Sequence, residues 1–252
     1  MPTLISRTRF INVDFDLMDM DAVLDRLREV SRGTAFIYVV TPNVDHMVRL
    51  EKATPEVQQA YRGADLTVCD SRIVRALASR SGIDLPIVPG SDLTRRILDD
   101  VVNPGDIIAV IGGDTALIRE LQVRYPALQI VHHEPPMGLM RNVTARAAAA
   151  AFAASSGARF TFIAVGSPQQ ELIAGEMKDS GAAYGAALCI GAALEFVVDR
   201  KRRAPVFLQS LGLEWAHRLV SEPRRMWRRY LVEGPRIFVM AARWSRNRRS
   251  AT

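Results

Sequence analysis

The chain has 252 residues, 48% of them hydrophobic and 24% charged, a globular composition that excludes a disordered or fibrous protein. That length can build one large domain or two small ones. The net charge is +6 but unevenly placed: residues 200–252 carry 14 Lys/Arg against Glu214, Glu222 and Glu233, a net +11, while residues 1–199 carry a net −5.

From the N-terminus, MPTLISRTRFINVDFD has no apolar segment ahead of a cleavage site, so a cytoplasmic protein is expected. Phe10–Val13 reads as a first strand and Met20–Val30 as an amphipathic helix with Val23, Leu24, Leu27 and Val30 on one face. Ala35–Val40 is the second strand. It runs into Thr41-Pro42-Asn43, where Thr41 suits a helix N-cap, Pro42 the first helical position, and Asn43 an exposed rim. Leu66–Cys69 is the third strand, followed by Asp70-Ser71-Arg72. Asp70 either caps the helix Ser71–Ser81 or serves as a general base at the mouth of the sheet. A helix opens at Ser91-Asp92, and Ile107–Ile111 is the fourth strand. Gly112-Gly113 follows it, allowing close approach of a phosphate or sugar, and Asp114 caps the next helix.

Gln129–His132 is the fifth strand, leading to His132-His133-Glu134. The two histidines have no third ligand at useful spacing, so no metal site is read there, and His133 stands as a candidate substrate contact. Helix Thr144–Ala154, strand Phe160–Val165 and helix Pro168–Lys178 come next, with Gly166, Ser167, Gln169, Gln170 and Glu171 at the turn. The seventh strand, Ala187–Ile190, ends in Gly191-Ala192-Ala193. Cys69 and Cys189 lie inside apolar runs and make neither a disulfide framework nor a zinc site. Ser180–Leu194 is uncharged but too short for a membrane span, which needs roughly 20 apolar residues.

Alternating short apolar strands and amphipathic helices predict an α/β fold with a largely parallel sheet and right-handed crossovers. Ligands of such sheets bind beyond the carboxyl ends of the strands, so the rim residues above are the candidate site. After about Arg203 no strand follows. Helical segments carry Trp215, Trp227 and Trp244 among the arginines. Arg beside Trp suits an anionic membrane surface, and the same pairing would suit nucleic acid or a solvated face. No Walker A loop, dinucleotide fingerprint, G-x-S-x-G elbow or H-E-x-x-H occurs. No Asp-x-Asp pair is read as a metal motif.

Several elements together resemble the WecG/TagA/CpsF family of bacterial glycosyltransferases (glycosyltransferase family 26). They are Thr41-Pro42-Asn43, Ala64-Asp65-Leu66 leading to Asp70, Pro89-Gly90-Ser91-Asp92-Leu93, Val165 to Glu171, Gly191-Ala192-Ala193, Arg203-Ala204-Pro205, Leu211 to Trp215, Arg218-Leu219 and Glu222-Pro223-Arg224-Arg225, with Arg228-Arg229 beyond. The resemblance implies a Rossmann-like core (residues 1–199) with a basic helical, membrane-associating appendage (residues 200–252). It implies an inverting, metal-independent and cofactor-free transfer of a sugar, N-acetylmannosamine, its uronic acid or a hexose, in cell-surface polysaccharide synthesis. The donor would be a UDP-sugar and the acceptor a polyprenyl-diphosphate-linked sugar at the inner membrane face. Asp70 takes the position of the catalytic base, Thr41, Asn43 and Gln170 those of rim residues, and Arg218, Arg225 and Arg228 those of arginines that meet the donor diphosphate. Three features depart from the family pattern: Ser71 for the usual Gly, Ile87 where an Arg is usual, and the loop His132 to Gly138. Arg72 is the candidate to supply the charge missing at Ile87. A nucleotide-cofactor oxidoreductase lacks its fingerprint here, and a nucleic-acid module would not need the polar rim, so no nucleic acid is expected as partner. The oligomeric state, a homo-oligomer included, stays open.

Overall fold

The computed structural model describes residues 6–31, 33–201, 204–205, 208 and 214–249. Arg203 and Leu211 to Leu213 of the family-like elements lie outside the described residues, as do the side chains of Arg218 and Arg225.

The chain opens with an antiparallel hairpin, β1 (Arg7–Phe10) and β2 (Val13–Asp16). The expected strand Phe10–Val13 is therefore its turn. Ile11 takes φ 60° there, a conformation costly for a β-branched residue, while packing against the core. That apolar residue concealed the turn, because two-residue turns are normally announced by Gly or Asn at such a position. Asp16 holds the hairpin to the main sheet. Its buried carboxylate accepts two bonds from Arg7, at 2.8 and 2.9 Å, and one from the Thr67 amide at 2.7 Å.

The main sheet has six strands, all parallel. They are β3 (Ile37–Val40), β4 (Leu66–Thr67), β5 (Ile107–Ile111), β6 (Gln129–His133), β7 (Phe160–Ile163) and β8 (Ala186–Cys189), in the spatial order β4-β3-β8-β7-β5-β6. Alternate residues feed two cores. Tyr38, Val40, Ala187 and Cys189 face one, and Ile37, Val39, Ala186 and Leu188 face the other. Helices cover both faces, so the fold is α/β and Rossmann-like. Helices α1 (Met20–Arg28), α5 (Gly90–Asp100), α6 (Thr115–Arg124) and α9 (Ala193–Val197) bury apolar residues in the second core. Helices α2 (Val44–Leu50), α3 (Pro55–Arg62), α4 (Arg72–Ser79), α7 (Val143–Ser155) and α8 (Gln169–Asp179) cover the first.

Two caps differ from expectation. Asn43, not Thr41, caps α2, its side chain accepting from the Asp45 and His46 amides. Ser71, not Asp70, caps α4, accepting from the Val74 amide. In each case the side chain next to the helix is better placed than the more distant one. Asp114 caps α6 as expected, through the Leu117 amide at 2.7 Å.

The C-terminal segment is helical: α10 (Glu214–Ser221), α11 (Pro223–Trp227), a π-helical turn (Arg228–Glu233) and α12 (Arg236–Arg249). Helix α12 is built into the first core. Ile237, Met240 and Ala241 are buried there, and Trp244 stands edge-on to Phe10 at 5.1 Å. No described helix is long and apolar enough to cross a membrane. Met240→Ala is expected to destabilise the fold by about 2–5 kcal/mol, the cost of truncating a buried side chain. Val239→Ala, on the half-exposed face of the same helix, should stay within about 0.5 kcal/mol. Urea unfolding of the two variants checks this.

Candidate active site

A cleft of about 680 Å³ opens beyond the carboxyl ends of β3, β4, β7 and β8. Its position follows from strand order. The chain winds outward from β3 to β4 on one side and from β5 to β6 on the other, so the ends between the two halves are left open for a ligand. Thr41, Asn43, Asp70, Arg72, Ser167, Gln170 and Gly191 all line it, brought together from four loops.

Gly112, Gly113 and His133 are not among its lining residues. They follow β5 and β6, on the far half of the sheet. A Cβ on Gly112 would stand 2.8 Å from Val165 and 3.0 Å from the Ala164 backbone, so this glycine serves close packing. The N-terminus of α6 beyond it is filled by Asp114, whose carboxylate also pairs with Arg200 at 2.9 Å. The His133 ring stacks on Phe152 at 5.2 Å. Arg228 is exposed and pairs with Glu233 at 3.2 Å. Its neighbour Arg229 lines the cleft instead. The turn carrying both is a π-helix, whose i→i+5 bonding shifts the phase that α-helical spacing assumes.

Asp70 sits at a tight junction. Its amide donates to the Pro42 carbonyl at 3.2 Å, and its Oδ1 accepts from the Gly90 amide at 3.1 Å, the first residue of α5. Gly90 must lack a side chain, because a Cβ would meet Thr41 Oγ1 at 2.9 Å. Asp70, Thr41 and the start of α5 are thus locked together. Arg72, exposed in the next turn, lines the same cleft, and Ile87 does not.

Beneath the cleft runs a buried hydrogen-bonded chain. The Gly191 amide donates to Gln170 Oε1 at 2.8 Å, and Gln170 Nε2 donates to Glu171 Oε1 at 2.9 Å. The Tyr61 hydroxyl donates to the same oxygen at 2.9 Å and lies 3.0 Å from Ser167 Oγ. Gln170 is 2% exposed, with its oxygen and nitrogen both engaged by protein groups. It therefore sets the Gly191 turn that forms the cleft floor. Burial pushes the Glu171 carboxyl above its usual range, against the opposing bonds from Gln170 and Tyr61. Its Oε2 is enclosed without a partner, which further disfavours an ionised form.

The wall made by α2 and the C-terminal segment carries Asp45, His46, Arg49 and Arg229, none of them expected from the sequence as a site residue. Asp45, buried, lies 3.2 Å from Arg49 Nε and 3.3 Å from Arg229 Nε. His46 adjoins Tyr61, and its Nδ1 is enclosed without a partner. Burial, aided by the charges of Arg229 and Arg49, lowers its pKa to about 3, so its imidazole stays neutral. Phe196, Trp215, Tyr230 and Phe238 add an aromatic side. The acid–arginine spacing of Asp45 and Arg49, one helical turn apart, was the available signal. The Cys189 thiol also lines the cleft, but burial raises its pKa well above the usual value, leaving a poor nucleophile.

Among the described residues, no group of three or more His, Cys, Asp or Glu is placed to hold a metal ion. The two Asp-x-Asp pairs, Asp14/Asp16 and Asp19/Asp21, are occupied elsewhere. Asp14 and Asp16 pair with Arg9 and Arg7, Asp19 caps α1, and Asp21 lies 3.5 Å from Arg96.

A parallel sheet flanked by helices, with a polar, arginine-bearing cleft at its strand ends, belongs to the Rossmann-like α/β class. The chain belongs to the glycosyl transferase WecG/TagA/CpsF family, whose model matches residues 8–251. Membership makes it a glycosyltransferase of cell-surface polysaccharide synthesis, and the family implies a nucleotide-sugar donor and a lipid-linked acceptor.

Glu171→Gln is expected to keep the chain of bonds and most activity, and Glu171→Ala to lose both. The sign of the pH effect follows from the raised pKa. Between the ordinary carboxyl range and the folded value, the unfolded state has released a proton that the folded state still holds, so this residue's contribution to stability falls as pH rises. The advantage of Glu171→Gln over the parent in urea unfolding should therefore grow as pH rises above the ordinary carboxyl range, about pH 4.

Proposed function

We propose that the cleft transfers a sugar with inversion from a UDP-sugar to a polyprenyl-diphosphate-linked sugar at the inner face of the cytoplasmic membrane, without a metal. The observation that carries this reading is the pairing in one cleft of the Asp70 carboxylate with the guanidiniums of Arg49, Arg72 and Arg229. The acceptor hydroxyl attacks the anomeric carbon and gives its proton to Asp70. The bond from that carbon to the diphosphate oxygen breaks, and UDP departs with the added negative charge. Cationic groups already in position are the cheapest way to receive that charge, and Arg grips phosphate with two bonds at once. Arg229, backed by Asp45, and Arg72, in place of the arginine missing at Ile87, are the groups assigned to it. Thr41 and Asn43 border the sugar, and Gln170 and Ser167 shape the floor through Glu171 and Tyr61.

Membrane association is assigned to the segment 200–252. Trp227, Leu231, Val232, Phe238 and Val239 are about half exposed there, beside a row of arginines. Apolar side chains with flanking Arg suit an anionic bilayer surface.

Asp70→Asn keeps an oxygen for the Gly90 amide and removes the basicity. Turnover should fall about 10²–10⁴-fold with little change in Tm. Near-parental turnover would remove Asp70 from the mechanism. Arg229→Ala should weaken donor use about 10- to 100-fold, as expected for a charged hydrogen bond, while Arg228→Ala has a small effect. Equal effects would reassign the leaving-group contact. Turnover, read by UDP release, should persist in EDTA, and its restoration by magnesium after loss would overturn metal independence.

A further inference from the structure

A second concavity, of about 390 Å³, lies between the N-terminal hairpin, α3 and the outer half of α12. Arg9 from β1, Arg62 from the end of α3 and Arg243 from α12 converge on it, with Asn12, Trp244 and Asn247. Their charges are weakly countered. Arg9 meets Asp14 only at 3.3 Å, with both groups exposed, a kind of pair worth little. Arg62 leans on the neutral Gln58 oxygen at 3.3 Å. Arg243 has no acidic partner among the described residues. Glu51, at the rim, is already paired with Arg236 at 2.8 Å. Asn12 ties the hairpin turn to α2. Its Nδ2 donates to the Met47 carbonyl at 2.8 Å, and its Oδ1 is enclosed with no donor facing it. Trp244, fixed edge-on to Phe10, supplies a rigid wall. The size suits a small ligand, and the site is separate from the candidate active cleft.

We propose that this groove binds a phosphate ester, with Arg9, Arg62 and Arg243 on the phosphate. Two sources share that chemistry: a polyol headgroup of an anionic phospholipid, and a soluble glycerophosphate. The inference does not depend on the glycosyltransferase mechanism.

The test uses the full chain and two double variants of equal charge change. Arg9→Ala with Arg243→Ala removes two groove arginines. Arg80→Ala with Arg141→Ala removes two exposed arginines that line neither cleft. Calorimetry with glycerol 3-phosphate, and sedimentation with phosphatidylglycerol/phosphatidylcholine vesicles, are compared at one ionic strength. The groove pair should weaken glycerophosphate binding at least 10-fold and the control pair less than twofold, with turnover on a soluble short-chain acceptor unchanged. Loss of vesicle binding together with glycerophosphate binding identifies the headgroup as source. Loss of glycerophosphate binding alone identifies the soluble ester. Equal losses from the two pairs would overturn the site in favour of bulk charge, and so would absence of saturable glycerophosphate binding by the parent. If the groove pair fails to fold, the single exposed substitution Arg243→Gln is held to the same comparison, with a smaller loss of about threefold or more expected.

Discussion

The cleft depends on one buried carboxyl group. Glu171 receives hydrogen bonds from Gln170 and Tyr61, and through them the Gly191 turn, the Ser167 turn and helix α3 are fixed relative to one another. A charged carboxylate in that position would need compensation on both oxygens, and only one is bonded. The neutral form costs less to bury and still accepts on Oε1. The two turns and α3 are thus joined around a carboxyl group that burial biases toward its neutral form. A group held neutral does not oppose charges placed above it, which on the proposed reading helps the site to hold a diphosphate.

The second fixed point has the opposite character. Asp45 lies between Arg49, one turn along its own helix, and Arg229 from the C-terminal segment. Breaking either contact leaves a buried acid with half its compensation, and such losses are strongly destabilising. The contact therefore does two things: it docks the C-terminal segment on α2, and it orients a guanidinium toward the cleft. Neutral His46 sits beside this cluster and adds no third positive charge. The protein thereby avoids like-charge repulsion between His46 and the two arginines at the cleft wall.

Much of the fold was legible in the sequence because strands buried on both faces read as apolar runs. Ile107–Ile111 and the caps around Asp114 follow from such local rules. The hairpin was not legible, since Ile11 occupies a left-handed turn position for the sake of its packing. The rule that ligands meet strand ends points to the rim residues after β3, β4, β7 and β8, which line the cleft, and equally to Gly112, Gly113 and His133, which do not. Strand order decides which ends are open, and order is a long-range property that local patterns do not contain. Arg228, named from the family resemblance, points away from the cleft while Arg229 lines it, for another reason. Adjacent arginines differ only in the direction they face, and a π-helical turn sets that direction. Asp45 was hidden because a buried ion pair with a partner 184 positions away leaves no local pattern.

On the proposed reading, the C-terminal segment meets two demands that would conflict in a detached anchor. A lipid-linked acceptor keeps its chain in the bilayer, so the reacting hydroxyl can rise only a short way from the surface. The group that approaches the membrane must therefore also border the cleft. Phe238 meets both conditions, lining the cleft while half exposed on α12. On the same helix, Ile237, Met240 and Ala241 are buried in the core, so bilayer contact is passed rigidly to the sheet that carries Asp70. A flexible basic tail would bind the surface equally well by charge but would leave the orientation of the cleft undetermined. Productive transfer requires the reacting atoms to be held in place, and a misplacement of about 1 Å can cost on the order of 10²-fold in rate. The burial of α12 is thus a catalytic requirement on this reading as well as a structural one.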